Sequence, residues 1–159
     1  MSNQKIGLYI GKFQPFHNGH LSAVQHSTSL VDKLIVVIGS SQYEGLKDQP
    51  FSAKQRRHMI EASAVNADLQ TPEIIEVPDI HDAQRWVDHL LQYVPHFDVV
   101  FTNNEIVRQL FKEKGFAVSN IPFLEGVSGT LVRQKLADND DSWQTLVPEA
   151  TVKTIISID

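Results

Sequence analysis

Two short segments carry the residues whose types and spacing could do chemistry. The first reads Gly11-Lys12-Phe13-Gln14-Pro15-Phe16-His17-Asn18-Gly19-His20, and the second Glu125-Gly126-Val127-Ser128-Gly129-Thr130-Leu131-Val132-Arg133. In the first, Gly11 lets the backbone turn sharply and Pro15 excludes a central strand, so the segment is a fixed loop. A helix starting near His17 puts His17 and His20 on one face of its first turn, where two imidazoles can share one anion. The free amides and the positive dipole end of a helix start attract the same ligand. Gly19 keeps the space between the rings open. In the second segment Ser128 or Thr130 can cap a helix, Gly129 admits backbone amides close to a ligand, and Arg133 lies one turn in on the same side. Taken alone, that segment is equally an ordinary helix cap with a solvent-facing arginine. Together the two read as cradles for phosphate oxygens.

Other chemistries are excluded or unsupported. The chain has no cysteine, which removes disulfides, thiolate zinc sites, iron–sulfur clusters and a cysteine nucleophile. Zinc on His17 and His20 needs a third ligand that the sequence does not offer, so no resident metal site is expected. His26, His58, His81, His89 and His96 read as ordinary surface or core histidines. Neither G-x-G-x-x-G nor G-x-x-x-x-G-K-[ST] occurs, so phosphate is handled by another device. Lys12, Arg56, Arg57 and Lys54 add local positive charge of the kind a transferring phosphoryl group requires, although Lys54 reads as an exposed helix residue. The net charge of -5 argues against a surface that neutralises many nucleic-acid phosphates. No apolar stretch approaches the ~20 residues of a membrane span, and the first residues lack a signal-peptide pattern. A cytoplasmic protein acting on small molecules is expected.

These loops need a scaffold. At 159 residues, with 42% hydrophobic and 21% charged residues, the chain has the size and composition of one domain spanning residues 1–159. Apolar runs at Ile6–Ile10 and Leu34–Ile38, each ended by a glycine, suit strands buried on both faces. Further strands are expected at Ile74–Val77, Val99–Thr102 and Val118–Phe123. Helical spacing appears at Leu21, Val24 and Thr28, and again after Ser52, where Gln55 completes a capping box. Helices are also expected over Gln84–Tyr93 and Glu105–Lys114, the latter stopped by Gly115. The alternation implies parallel βαβ units with ligands at the carboxyl ends of the strands. After Phe123 the pattern is helical only, around Leu131–Ala137, Ser142–Leu146 and Pro148–Ile156.

The segment Gly11–His20 resembles the G-x-F-x-P-x-H-x-G-H signature of the nucleotidyltransferase superfamily, and Ser128-Gly129-Thr130-x-x-Arg133 resembles its second motif. Gln14-Pro15-Phe16 follows the form found in archaeal-type nicotinamide-nucleotide adenylyltransferases. The likeness continues through Ile38–Gln42, Pro50–Ala53 with Arg56, Pro78–Ile80 with Trp86, Asn103-Asn104 and Ser142 to Glu149. It implies a Rossmann-like parallel sheet flanked by helices, the nucleotidyltransferase fold, with a C-terminal helical segment. It further implies adenylyl transfer from ATP, with Mg2+, to nicotinamide mononucleotide, giving NAD and pyrophosphate.

The resemblance assigns roles residue by residue. His17, His20 and Arg133 match catalytic positions, and ATP contacts would come from Gly11, Lys12, Phe13, Asn104, Ser128, Gly129 and Thr130 as well. Arg56, Asp79, Ile80, Trp86 and Ser40 match positions around the substrates, with Trp86 stacking on the nicotinamide ring. From the residues alone, Trp86 reads as core. Lys12 replaces the usual arginine, which keeps the charge and loses the bidentate fork, and His81-Asp82-Ala83 stands where some relatives carry amides. Relatives of this type form symmetric homo-oligomers. The alternatives are a phosphopantetheine adenylyltransferase or cytidylyltransferase of the same fold and a nucleotide-sensing module without turnover.

Overall fold

The computed structural model describes residues 3–158. The two apolar runs become the central strands β1 (Ile6–Gly11) and β2 (Lys33–Ile38), and they are continuous because both faces of the sheet are covered. Leu34, Val36 and Ile38 face one core with Tyr9, Phe101, Val24 and Met59. Ile35 and Val37 face the other with Leu8, Val100, Leu90 and Phe111. The remaining strands are β3 (Glu73–Glu76), β4 (Val99–Phe101) and β5 (Ala117–Ser119), all parallel in the order β3-β2-β1-β4-β5.

Helices α1 (Asn18–Thr28) and α2 (Ala53–Asn66) supply residues to the first core. Helices α3 (Trp86–Leu91) and α4 (Glu105–Glu113) supply the second. The order of strands reverses between β1 and β4, so the loop leaving β1 opens at the switch point where an α/β sheet takes its ligands.

Three expectations shift. Strand β5 stops at Ser119 rather than Phe123, because Asn103 takes over the chain there: its amide donates to Ile121 O and its carbonyl accepts from Ile121 N at 3.0 Å. The segment Asp141–Leu146 is a 3₁₀ turn rather than an α-helix. Helix α3 begins at Trp86, after Asp82 has taken the amides of Gln84 and Arg85.

The C-terminal helices, α5 (Gly129–Ala137) and α6 (Glu149–Ile156), bury Val132, Trp143 and Val147 in a small core of their own. Leu136 and Ile155 join that core to the first one. Thr151 Oγ1 donates to Phe16 O at 2.9 Å and Asn18 Nδ2 to Thr145 O at 3.2 Å, so this segment is pinned directly onto the first loop.

The loops at the carboxyl edge are held by side chains acting as short strand partners. Gln14 pairs both ways with the backbone of Phe51 (3.0 and 2.9 Å), and Gln42 pairs both ways with that of Asp79 (3.0 and 3.0 Å). Phe13, Ser40 and His81, which follow β1, β2 and β3, have φ of 56°, 49° and 55°, a left-handed conformation that costs a non-glycine residue energy. In the first loop this conformation folds the Phe13 ring back over Gly11, where an added Cβ would meet ring carbons at 2.8 Å.

Arg56, expected at the phosphates, is instead the central strut of this edge. It is fully buried, and its guanidinium donates to the carbonyls of Ser52, Lys12, Gly39, Ser40 and Tyr43. No N–H remains for a ligand. Burial lowers its pKa, with Glu76 and Glu44 opposing, and it remains the cation that neutralises a cluster of carbonyl dipoles. Arg56→Met should cost about 3 kcal/mol, of order 10 °C in Tm, by leaving buried carbonyls unpaired. Thermal unfolding checks this, and a change within 2 °C would show that these bonds are dispensable.

Candidate active site

Helix α1 begins in an unusual way. His17 is its N-cap, and its Nδ1 accepts from the amides of Gly19 (3.0 Å) and His20 (3.3 Å). His20, at the third helical position, returns the favour: its Nδ1 accepts from the amide of His17 at 3.1 Å. This is a capping box made of two imidazoles in place of a hydroxyl and a carboxamide. A backbone amide can only donate, so each Nδ1 carries a lone pair and each neutral ring carries its proton on Nε2. The caps thereby fix the tautomer of both rings.

The rings stack at 3.6 Å between centroids, 17° apart, with Phe13 and Phe16 against His20. Gly19 is what permits this, since a Cβ there would meet His17 Cε1 at 2.8 Å. Burial is the main cause that lowers both imidazole pKa values. Arg133 adds to it for His17, which falls to about 4, and the neighbouring His17 ring adds to it for His20, which falls well below the ordinary value. Both are neutral donors at pH 7, and a negative charge brought beside them would raise both pKa values.

The second segment comes to the same place. Ser128 caps α5 by accepting from Leu131 N at 3.0 Å. Arg133, one turn on, donates Nη1 to Gln14 O at 2.8 Å and Nη2 to Thr130 Oγ1 at 3.3 Å, crossing from one motif to the other. Gly129 makes room for it, because a Cβ would meet Arg133 Nη1 at 2.8 Å. A cleft of about 210 Å³ results, lined by Lys12, Phe13, Gln14, His17 and His20 of the first segment, Gly129 and Arg133 of the second, and Asp48 and Gln49. Its cations and neutral donors suit an anion.

The other expected residues distribute unevenly. Asp79 and Trp86 line a second cleft of about 450 Å³ with His81, Asp82, Ala83, Val107 and Leu110. Trp86 is half-buried and meets Phe111 edge-on at 6.1 Å, so it belongs to the core and to the cleft wall at once. Ile80 is exposed, and Ser40 is buried with its carbonyl on Arg56. Asn104 caps α4, its Oδ1 accepting from Ile106 and Val107 amides. Phe13 is 1% exposed, so its side chain builds the loop rather than the cleft surface. Arg57 pairs with Glu76 at 3.0 Å.

Sequence alone assigns no role to Gln14, Gln42, Asp48 or Gln49, because isolated amides and a lone loop carboxylate offer no spacing from which one can be read. Tyr43 and His81 are joined through Oη and Nε2, and His81 Nδ1 lies 3.2 Å from Asp79 Oδ2, so the rim of the second cleft is a hydrogen-bonded chain. A larger groove of about 640 Å³, lined by Asn3 to Ile6, His96 and Asp98, lies at the amino ends of the strands, away from both motifs. Among the described residues, no group of three or more His, Asp or Glu side chains could hold a metal ion, and no helix is long and apolar enough to cross a membrane.

A doubly wound parallel sheet whose switch-point loop converges with the start of α5 on an anion cleft defines a nucleotide-phosphate-binding α/β protein. A family model described as cytidylyltransferase-like matches residues 8–135. The nicotinamide-nucleotide adenylyltransferase of Thermococcus kodakarensis is 37% identical over 158 residues, covering 97% of this chain and 84% of that protein. That of Saccharolobus solfataricus is 40% identical over 156 residues, covering 96% and 90%. A solved bifunctional NMN adenylyltransferase/ADP ribose pyrophosphatase from Francisella tularensis, complexed with AMP and a manganese ion, superposes with a TM-score of 0.73 at 26% identity. It covers 85% of this chain, which spans 42% of that longer one. The chain belongs to the cytidylyltransferase-like family and, within it, to the nicotinamide-nucleotide adenylyltransferases.

The depressed imidazole pKa values set an acid limit. Between the ordinary value of 6.5 and about 4 the unfolded chain binds protons at His17 that the folded chain refuses, so stability falls as pH falls through that window. Chemical denaturation at pH 7 and pH 5 should differ by on the order of 1–2 kcal/mol on account of His17, with His20 acting in the same direction. His17→Asn, which keeps a good cap, should flatten the slope; an unchanged slope would contradict the buried neutral ring.

Proposed function

We infer that this chain transfers the adenylyl group of ATP to nicotinamide mononucleotide, releasing pyrophosphate and forming NAD. The observation that carries the chemistry is the pair of tautomer-fixed imidazoles that line one small polar cleft together with Arg133. The 5′-phosphate of the mononucleotide is already an anionic nucleophile. One of its oxygens bonds to the α-phosphorus as the α–β bridging bond breaks and its electron pair leaves with pyrophosphate. No covalent enzyme intermediate is required, so the protein contributes alignment and charge stabilisation.

In this reading the Nε2–H groups of His17 and His20 donate to oxygens of the reacting phosphates. Their proton affinity rises as charge accumulates there. Arg133, Lys12 and the amides at Ser128–Thr130 hold the β- and γ-phosphates. The magnesium ion enters with ATP as part of that substrate. Asn104, at the carboxyl end of β4, is proposed to meet the nucleoside portion, and the role of Gly11 is to turn the chain beneath the phosphates. Arg56 and Ser40 support the loops rather than touch the substrate.

The second cleft suits the acceptor. It combines an apolar wall of Trp86, Val107 and Leu110 with a rim of Asp79 and Asp82. An aromatic face and two carboxylates favour a flat ring that carries a positive charge and an uncharged substituent, which describes the pyridinium carboxamide of nicotinamide mononucleotide. A carboxylate on the same ring would meet like charge. Arg85, 3.6 Å from Asp82, offsets this only in part because it is largely exposed.

The decisive assay incubates the protein with ATP, magnesium and each candidate acceptor, following pyrophosphate and the adenylylated product. NAD formation is expected; turnover only with phosphopantetheine, or only with CTP and an alcohol phosphate, would replace this reading, and ATP binding without pyrophosphate release would make the protein a sensor.

Two variants test the roles. His20→Gln keeps a capping acceptor at the third helical position and removes the Nε2–H, so kcat should fall by about 10²–10³ with KM for ATP moving far less. Equal changes in both would remove the transition-state role. Asp82→Asn should narrow the preference for nicotinamide over nicotinate mononucleotide in kcat/KM by about fivefold, the value of one solvent-screened charge contact; an unchanged ratio would clear the rim of that role.

A further inference from the structure

The phosphate cleft holds one group that a simple anion site should exclude. Asp48 lines it, a carboxylate beside Lys12, His17, His20 and Arg133. A carboxylate near a triphosphate repels it by about 1 kcal/mol per charge pair at 4 Å even in bulk water. Such a residue weakens binding unless a cation stands between the two. Its neighbour supplies a second, independent oddity. Gln49 also lines the cleft, and its Oε1 is buried with no hydrogen-bond partner. A buried acceptor without a donor is costly, which marks it for a donor brought in by a ligand.

The two residues are held in place by backbone bonds. Leu46 N donates to Gln49 O and Gln49 N to Leu46 O, both at 3.2 Å, while Gly45 N donates to Pro50 O at 3.0 Å. The cleft therefore has a donor side, made of imidazoles, ammonium and guanidinium, and an acceptor side, made of one carboxylate and one amide oxygen. A divalent cation with its water shell presents positive charge to a carboxylate and water O–H donors to an amide oxygen. Magnesium in particular keeps several waters and takes few protein ligands when phosphates supply the rest. These residues fit that demand.

We propose that Asp48 and Gln49 form the receiving site for the hydrated divalent cation that the nucleoside triphosphate carries, accepting hydrogen bonds from its bound waters. The proposal rests on the phosphate cleft being the ATP site. It gives the protein a way to favour the metal complex of its substrate over the free tetra-anion.

Calorimetric titration with ATP, in excess magnesium or in a metal chelator, reads this without turnover. The wild-type protein should bind the magnesium complex at least about tenfold more tightly than free ATP, and in Asp48→Asn free ATP should bind several-fold more tightly, leaving a magnesium advantage of about twofold or less. Gln49→Met, close in volume, should reduce the magnesium advantage without tightening free ATP. Manganese, followed by relaxation of its bound water protons, should report a ternary complex that both variants alter. A magnesium advantage identical in wild type and Asp48→Asn, or no advantage in the wild type, overturns the proposal while leaving the ATP site intact. Failure to bind ATP with or without metal overturns the phosphate-cleft reading, and the proposal falls with it.

Discussion

The site depends on a reciprocal cap. His17 and His20 spend their Nδ1 lone pairs on the first amides of α1, and this single exchange does three things at once. It starts the helix, it aligns the two rings in a stack, and it sets each proton on Nε2. A helix start is already an anion site through its free amides and dipole. Here the cap converts part of that backbone potential into two directed side-chain donors. Gly19 and the aromatic pair Phe13 and Phe16 follow from the same constraint, since the rings stack only where no Cβ intrudes and where apolar surface shields them. That shielding is also why both imidazoles stay neutral.

Around this turn the molecule is organised to hold loops still. Arg56 ties the ends of the β1 and β2 loops through carbonyls, and paired amides at Gln14, Gln42 and Asn103 stitch each loop to a neighbour. The left-handed residues Phe13, Ser40 and His81 are tolerable because those bonds over-determine them. Arg133 then closes the arrangement by bonding Gln14 O from the far end of the chain, and Thr151 and Asn18 pin the C-terminal helices to the same loop. Reaction by positioning and electrostatics needs this rigidity.

Much of this was legible in the sequence, for definite reasons. Strands buried on both faces write continuous apolar runs, so β1 and β2 stand out, and Ser52 with Gln55 announces α2 by a capping box that forms as read. Sequence pattern extends the edge strand β5 too far because Ile121 and Phe123 look like strand residues, while the event that ends the strand is a side-chain bond from Asn103, remote in sequence. Arg56 shows the same limit at the site. Its charge and the family resemblance suggest a phosphate ligand, and only the fold shows five carbonyls already around it. The histidine motif was visible as a spacing, but the tautomer it enforces is a property of backbone amides and becomes readable only with coordinates.

The central claim is that both imidazoles present Nε2–H donors to one bound triphosphate. Nitrogen-15 spectra of labelled imidazoles at neutral pH, recorded before and after addition of a non-hydrolysable ATP analogue, test it most directly. The account predicts that His17 and His20 are both Nε2–H tautomers in the free protein and that both Nε2 resonances move on addition of the analogue. A ring protonated on Nδ1 in the free protein, or a pair of Nε2 resonances that do not respond to the nucleotide, would contradict it.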